Sequence, residues 1–124
     1  MLIFGYDLIP SRPWCKVSTQ KEVASTSSST VILLGLNSLD VATYCKEQNV
    51  DFALEVESTK EALIASALGA SYLLCAQDVA KEIQAIANEY LWIAKVIVPI
   101  ENEDELEIVA RLGIDGVIFA QSIR

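Results

Sequence analysis

Six polar side chains are placed where they could help to bind a small molecule. Each follows an apolar run typical of a β-strand, and they are Asp7, Asn37, Glu57, Gln77, Glu101 and Gln121. Ligands of open parallel sheets bind beyond the carboxyl ends of the strands, so we expect these side chains at one edge of the fold. Carboxylates and amides together suit a polar ligand or a cation with oxygen ligands. Alternatively, Glu57 and Glu101 only stabilise the positive ends of the helices that follow them.

The overall composition excludes several kinds of site. Histidine is absent, and 17 acidic residues against 9 basic ones give a net charge of −8. The lack of histidine argues against a zinc site or a Ser-His triad, and the acidic balance argues against nucleic acid or anionic lipid as a partner. Three widely spaced cysteines without a CxxC motif suit a reducing compartment. We therefore expect a cytoplasmic protein with no metal, no cofactor and no catalytic residue.

The elements that would position these side chains are short buried strands alternating with helices. The apolar runs are continuous, as in strands covered on both faces. They are Leu2 to Tyr6, Val31 to Leu36, Phe52 to Val56, Tyr72 to Ala76, Val96 to Ile100 and Gly116 to Ala120. This alternation predicts one α/β domain over 1–124, with a doubly wound, mainly parallel, five- to six-stranded Rossmann-like sheet and helices on both faces. Leu2 to Tyr6 is expected beside Val31 to Leu36.

Helix boundaries are marked by capping residues. Starts are indicated by Ser58 with Glu61, by Asn102 with Glu105 and by Asp78, and ends by Asn49, Gly69 and Gly113. Segment 10–30 is irregular, with one short helix near Gln20 to Ala24 introduced by Thr19 and Glu22.

An internal similarity links residues 51–77 with residues 95–121 at an offset of 44 positions. Glu57 matches Glu101, Glu61 matches Glu105 and Gly69 matches Gly113. Two unrelated βαβ units can share such capping and core positions, and a duplication would produce the same matches.

The turn after the first strand stands where a dinucleotide-binding fingerprint would lie. Gly5 fits its first glycine, but Asp7 and Pro10 replace the second and third. An aspartate there brings bulk and negative charge to the place of the pyrophosphate, so we expect no binding of NAD.

The order of elements resembles the RCK (regulator of potassium conductance) or TrkA-N type of Rossmann domain. LIFGY is similar to its first strand, ALGASYLLCAQD to its passage into the fourth strand, and AKVIVPIENEDELEIVARLGIDGVIFAQ to its fifth strand, helix and closing strand. The chain departs from that family at the glycine loop and where Glu55 and Val56 end the third strand. The resemblance implies a non-catalytic regulatory or assembly domain, a homodimer or larger ring, and a potassium channel or transporter as partner.

An alternative is a small enzyme or ligand-binding (βα) domain of sugar-phosphate type, with Glu57 and Glu101 as acid and base. We expect no lysine, histidine or cysteine at a strand end, which disfavours this alternative. A strand order that reverses direction would favour the regulatory domain, and a sequential order would favour the (βα) domain.

The apolar content also bears on assembly. Hydrophobic residues make up 52% of the chain, which is high for a domain of 124 residues. An apolar surface left over by the core predicts a homo-oligomer, through the helix 78–91 with Trp92 or through the segment carrying Trp14.

Overall fold

A computed structural model describes all residues, 1–124, as seven strands and five helices. The strands are β1 (Leu2–Phe4), β2 (Trp14–Lys16), β3 (Val31–Leu34), β4 (Phe52–Glu55), β5 (Tyr72–Leu74), β6 (Lys95–Ile100) and β7 (Gly116–Phe119). The helices are α1 (Gln20–Ala24), α2 (Leu39–Glu47), α3 (Thr59–Ala67), α4 (Gln77–Tyr90) and α5 (Glu105–Arg111), with short 3-10 turns at Leu36–Ser38 and Ala120–Ser122. No helix has both the length and the apolar composition needed to cross a membrane.

The seven strands form one parallel sheet in the order β1-β7-β6-β5-β4-β3-β2. The expected α/β class with a parallel, Rossmann-like alternation is confirmed, but the expected strand count was too low because β2 was not predicted. The order from β2 to β7 is sequential and does not reverse, so the sheet is not doubly wound. The expected neighbour of β1 was also wrong, since Leu2 lies opposite Gly116 of β7 and not beside β3.

The two faces of the sheet bury different layers. Every helix packs on one face, where the side chains of Val23, Ala42, Ala62, Ile83 and Val109 join alternate strand residues in one cluster. The prediction of helices on both faces was therefore wrong. Successive right-handed crossovers in one direction place each helix on the same side of the sheet, and reversing the order is what would place helices on the other side.

The other face curls onto itself and forms a small interior with no helical residue. Its members are Phe4, Trp14, Val31, Leu33, Ala53, Leu74, Ile97 and Ile118, which come from all seven strands. The rings of Phe4 and Trp14 meet edge to face with centroids 5.3 Å apart, and Tyr72 contacts both. This aromatic contact joins β1 and β2, the two outermost strands of the hydrogen-bonded order, so the sheet resembles a barrel rather than an open layer.

Residues after β7 also contribute to this closure. The backbone N–H of Lys16 donates to the carbonyl of Arg124 at 2.9 Å, and the N–H of Arg124 donates to the carbonyl of Trp14 at 3.0 Å. The side chain of Ile123 packs against the interior cluster. The backbone of β2 therefore has partners on both of its sides.

At most of the predicted helix boundaries, the predicted residue either caps the helix start with its side chain or ends the helix with a positive φ. The hydroxyls of Thr19 and Ser58 accept hydrogen bonds from the N–H groups of Glu22 and Glu61, both at 3.2 Å. Asp78 was wrongly predicted as a cap, because α4 begins after Ala76 and no side chain caps it. Asn49, Gly69 and Gly113 have φ values of 57°, 91° and 74°, as predicted for helix ends.

Candidate functional site

A cleft of about 520 Å³ opens at the carboxyl ends of the central strands. The residues that line it follow or end β3, β4, β5 and β6, and they include Asn37, Glu55, Glu57, Cys75 and Pro99. Each strand ends at this edge because all seven run in one direction. The cleft therefore lies where parallel folds bind ligands.

An ion pair stands at the mouth of the curled interior. The Nζ of Lys16, at the end of β2, lies 3.1 Å from Oε1 of Glu55, at the end of β4. Both residues lie two positions beyond an interior residue of their strand, Trp14 and Ala53, so both belong to the inward-facing series. Glu55 also lines the cleft. The pair thus brings a cation and an anion to the edge at which ligands bind.

This pair was not predicted from the sequence, and the expectation of no lysine or cysteine at a strand end was wrong, because Lys16 ends β2 and Cys75 directly follows β5. β2 has only three residues, Trp14 to Lys16, inside a segment interpreted as irregular. Without β2, Lys16 is an ordinary loop residue. The available signal was the buried-type residue Trp14 followed by the helix start at Thr19, which is the local pattern of a βα unit.

Asn37 and Glu57 are the two predicted site residues that the structure brings together in the cleft. The backbone at Glu57 is fixed, because its N–H donates to Oε1 of Glu61 at 2.8 Å. Glu61 completes a capping box with Ser58 at the start of α3. Its carboxylate is thus used for the backbone, while no hydrogen bond of the structure involves the carboxylate of Glu57.

Glu101 and Gln121 lie near each other but do not line the cleft. Nε2 of Gln121 donates to the backbone carbonyl of Glu101 at 3.3 Å, and the N–H of Glu101 donates to Oε2 of Glu105 at 2.6 Å. The second bond repeats the geometry of Glu57 and Glu61, as the 44-residue similarity would suggest. Gln77 is the first residue of α4, at the same edge but outside the cleft lining.

Asp7 lies apart from the others, in a second hollow of about 330 Å³. Two arginines line this hollow, Arg12 and Arg124. The guanidinium of Arg12 donates to the carboxylate of Asp51 at 2.7 Å and to the carbonyl of Ser29 at 3.0 Å. The guanidinium of Arg12 is therefore already used in contacts within the fold. Gly5 adopts φ +80° here, and a side chain at this position would collide with Ser122.

The neighbouring Tyr6 connects the loop after β1 to the loop after β6. Its hydroxyl donates to Oε1 of Glu103 at 2.7 Å, and its ring stacks on Phe119 with centroids 5.5 Å apart. The hydrogen bond to Glu103 raises the pKa of Tyr6, because the carboxylate favours the protonated phenol. Tyr6 therefore acts as a neutral donor that holds two loops of this edge together.

Cys75 is the one sulfur in the cleft lining, and its surroundings keep it protonated. Burial raises the pKa of the thiol to about 12, and the negative charge of Asp78 adds to the effect. A nucleophilic cysteine needs the opposite shift, toward the thiolate. Cys75 thus contributes an apolar wall to the cleft.

The carboxylates of this edge do not form a metal centre. No group of three or more histidine, cysteine, aspartate or glutamate side chains is arranged to hold a metal ion. What the cleft offers is three carboxylates, of which that of Glu61 is bonded to the backbone, one amide and, through Glu55, the ammonium group of Lys16.

Comparison with known proteins adds no family to this description. No family model matches the chain. No curated protein matches it either.

Proposed function

We propose that this chain is a non-catalytic (βα) domain that binds a small polar molecule without net negative charge. The binding site is the cleft at the carboxyl ends of β3 to β6. The observation that carries the proposal is the ion pair of Lys16 and Glu55 at the mouth of the curled interior, where Glu55 lines the cleft and both side chains stay partly exposed to solvent. The strands β2, β3 and β4 around this pair follow one another in sequential order. Sequential order is the arrangement that favours a (βα) domain over a reversing, doubly wound one.

The charge of the site supports the choice of ligand. Glu55 and Glu57 line the cleft, Glu61 adds a third carboxylate, and Lys16 is the one cation that forms a salt bridge with any of them. A phosphate or carboxylate ligand would meet this excess of negative charge, whereas a hydroxyl or an ammonium group would find acceptors. The ligand class is therefore a polyhydroxylated or amine-bearing molecule.

The proposal adopts the ligand-binding form of the (βα) alternative, because the sequential strand order counts against the doubly wound RCK type. Of the six side chains predicted to bind a ligand, it uses the two that line the cleft, Asn37 and Glu57. The acid and base pair of the alternative enzyme is not adopted, because Glu57 lines the cleft and Glu101 does not.

The test is a nuclear magnetic resonance titration of the ¹⁵N-labelled chain with glucosamine, glucose and glucose 6-phosphate as separate probes. We expect glucosamine at millimolar concentration to shift the amides of Gly35, Glu57 and Ala76, and glucose 6-phosphate to leave them unmoved. Glu57→Gln should weaken glucosamine binding by about tenfold, since it removes one charge-assisted contact.

The matched control is Glu47→Gln, an exposed glutamate at the end of α2 outside the cleft lining. It should bind glucosamine as the unchanged chain does. Shifts with the phosphate but not with glucosamine, or no shift at these amides with any probe, would refute the proposal.

A further inference from the structure

The carboxylate of Glu55 already holds an ammonium group, and that group belongs to the chain itself. The Nζ of Lys16 lies 3.1 Å from Oε1 of Glu55, and no other residue forms a salt bridge with either side chain. Glu55 lines the cleft, whereas Lys16 does not. The contact therefore marks the place where an ammonium group is bound on this side of the cleft.

Lys16 reaches Glu55 across the strand between them. Lys16 lies opposite Leu33 of β3, and Leu33 lies opposite Ala53 of β4. Glu55 is two residues beyond Ala53, on a strand two spacings of about 4.8 Å away from β2, so the lysine must extend its side chain to make the contact. Both side chains are partly exposed, and ion pairs of this kind are weak. Another cation can therefore replace Lys16.

A glycine follows the strand that separates the two charged residues. Gly35 comes two residues after the inward-facing Leu33, so it is level with Glu55 on the neighbouring strand. Its φ of −90° is one that any residue adopts, so the backbone does not require glycine here. A Cβ atom at this position would come within 2.9 Å of Oδ1 of Asn37 in the cleft lining. Gly35 therefore leaves room on the cleft side of Glu55.

Two further acceptors line the same cleft. The carboxylate of Glu57 and the side-chain amide of Asn37 have no hydrogen-bond or salt-bridge partner within the chain. An ammonium group carries three N–H donors, whereas a hydroxyl carries one O–H donor. Glu55, Glu57 and the amide oxygen of Asn37 therefore offer one acceptor group for each donor of an ammonium ion.

We infer, on the basis of the proposed function of the cleft, that its ligand is a primary amine in the ammonium form, which binds by taking the place of Lys16 at Glu55. Two ammonium groups beside one carboxylate repel each other, so the ligand and Lys16 are alternative partners of Glu55. When the ligand binds, the ammonium group of Lys16 moves into solvent. Lys16 thus lowers the affinity of the cleft for amines and leaves its affinity for neutral polyols unchanged.

The variant Lys16→Met tests this exchange, because methionine keeps a long apolar side chain and removes the charge. The variant and the unchanged chain are titrated with glucosamine and with glucose at about pH 6, where glucosamine and the glutamates are ionised. Glucosamine should bind Lys16→Met about fivefold more tightly than the unchanged chain, since a like charge beside the cleft is gone. Glucose should bind the two equally. Because the exposed pair adds little to stability, both chains should have similar melting temperatures.

A second measurement follows Lys16 itself. In the ¹³C-labelled chain, the Cε signal of Lys16 is identified by its absence from the spectrum of Lys16→Met. This signal should shift when glucosamine is added and stay in place when glucose is added.

The matched control is Lys21→Met, which removes the charge of an exposed lysine of α1 that forms no salt bridge. It should bind glucosamine as the unchanged chain does. If glucosamine shifts the cleft amides but binds Lys16→Met no more tightly than the unchanged chain or Lys21→Met, the exchange is overturned and the proposed function stands. If glucosamine shifts the cleft amides of neither the unchanged chain nor Lys16→Met, both are overturned.

Discussion

The three cysteines differ in their access to reagents because their surroundings differ. Cys45 and Cys75 are buried and Cys15 is partly exposed. Burial raises the pKa of both buried thiols, that of Cys75 to about 12. Since the thiolate is the reactive form, the two buried residues are protected both by access and by protonation.

We therefore expect one fast-reacting thiol in the folded chain. A disulfide reagent at about pH 8 should label Cys15 first, and all three cysteines should react after denaturation. The labelling of Cys75 should stay slow up to about pH 10, since its thiolate is scarce below its raised pKa. Cys15→Ser should abolish the fast phase. Two or more fast thiols in the folded chain would contradict this description of the core.

Three of the five helix starts, those of α1, α3 and α5, share one hydrogen bond that fixes the backbone at a strand end. Ser18, Glu57 and Glu101 each donate a backbone N–H to a glutamate four residues later, at 3.2, 2.8 and 2.6 Å. The bonds at Ser18 and Thr19 lower the pKa of Glu22, because they favour its ionised form. The same hydrogen bond, from a backbone N–H to a glutamate four residues later, thus follows β2, β4 and β6.

Removing the cap at the start of α3 should destabilise the chain without abolishing the fold. Ser58→Ala deletes the hydroxyl that accepts from the N–H of Glu61, and the expected cost is about 1 kcal/mol in the free energy of unfolding. Urea denaturation measures this cost. Ser28→Ala, in the exposed loop before β3, is the control and should change stability by less than about 0.5 kcal/mol. Equal effects of the two substitutions would mean that the cap is not formed.

The sequence predicted individual elements better than their arrangement. Six strands, the caps at Thr19 and Ser58 and the helix ends at Gly69 and Gly113 follow from local patterns, and the structure has them. Strand β2 was not predicted, because it has only three residues, ends in a lysine and follows two prolines. The order of strands depends on which faces pack together, and a continuous apolar strand looks the same whether a helix or another strand covers it.

The interior of the curled sheet depends on one large side chain. Trp14 fills the space between Phe4 and Tyr72 and is almost wholly buried. Its indole Nε1 has no hydrogen-bond partner in the structure. The packing of this residue, and not its polar atom, therefore holds β1, β2 and β5 together.

Replacing Trp14 should show this difference directly. Trp14→Ala should lower the free energy of unfolding by about 3–5 kcal/mol, because it leaves a cavity in the interior. Trp14→Phe should cost much less, about 1 kcal/mol, since it keeps a ring and removes the unpartnered N–H. Calorimetric or urea unfolding compares the two variants. A loss as large for phenylalanine as for alanine would mean that the indole N–H has a partner that stabilises the fold.

At the scale of the whole molecule, the candidate site was only partly predictable. Asn37 and Glu57 were correctly predicted to lie at the edge of the sheet that forms the cleft, because the ends of strands can be located from apolar runs in the sequence. Glu101, Gln77 and Gln121 share that edge without entering the cleft, and Asp7 lies in a separate hollow. Lys16 could not be found without β2, and Glu55 was not recognised as facing inward because that depends on the curl of the sheet.

The position of β1 in the sheet has a consequence for how the chain folds. Strands β2 to β6 each pair with the next strand in sequence, so their contacts can form one after another through short crossovers. β1 pairs with β7, and Leu2 opposite Gly116 encloses nearly the whole sequence in one loop. Closing that loop costs more chain entropy than any other pairing in the sheet. We therefore expect β1 to dock last, onto a sheet that the other six strands have formed, and to detach first when the native state opens locally.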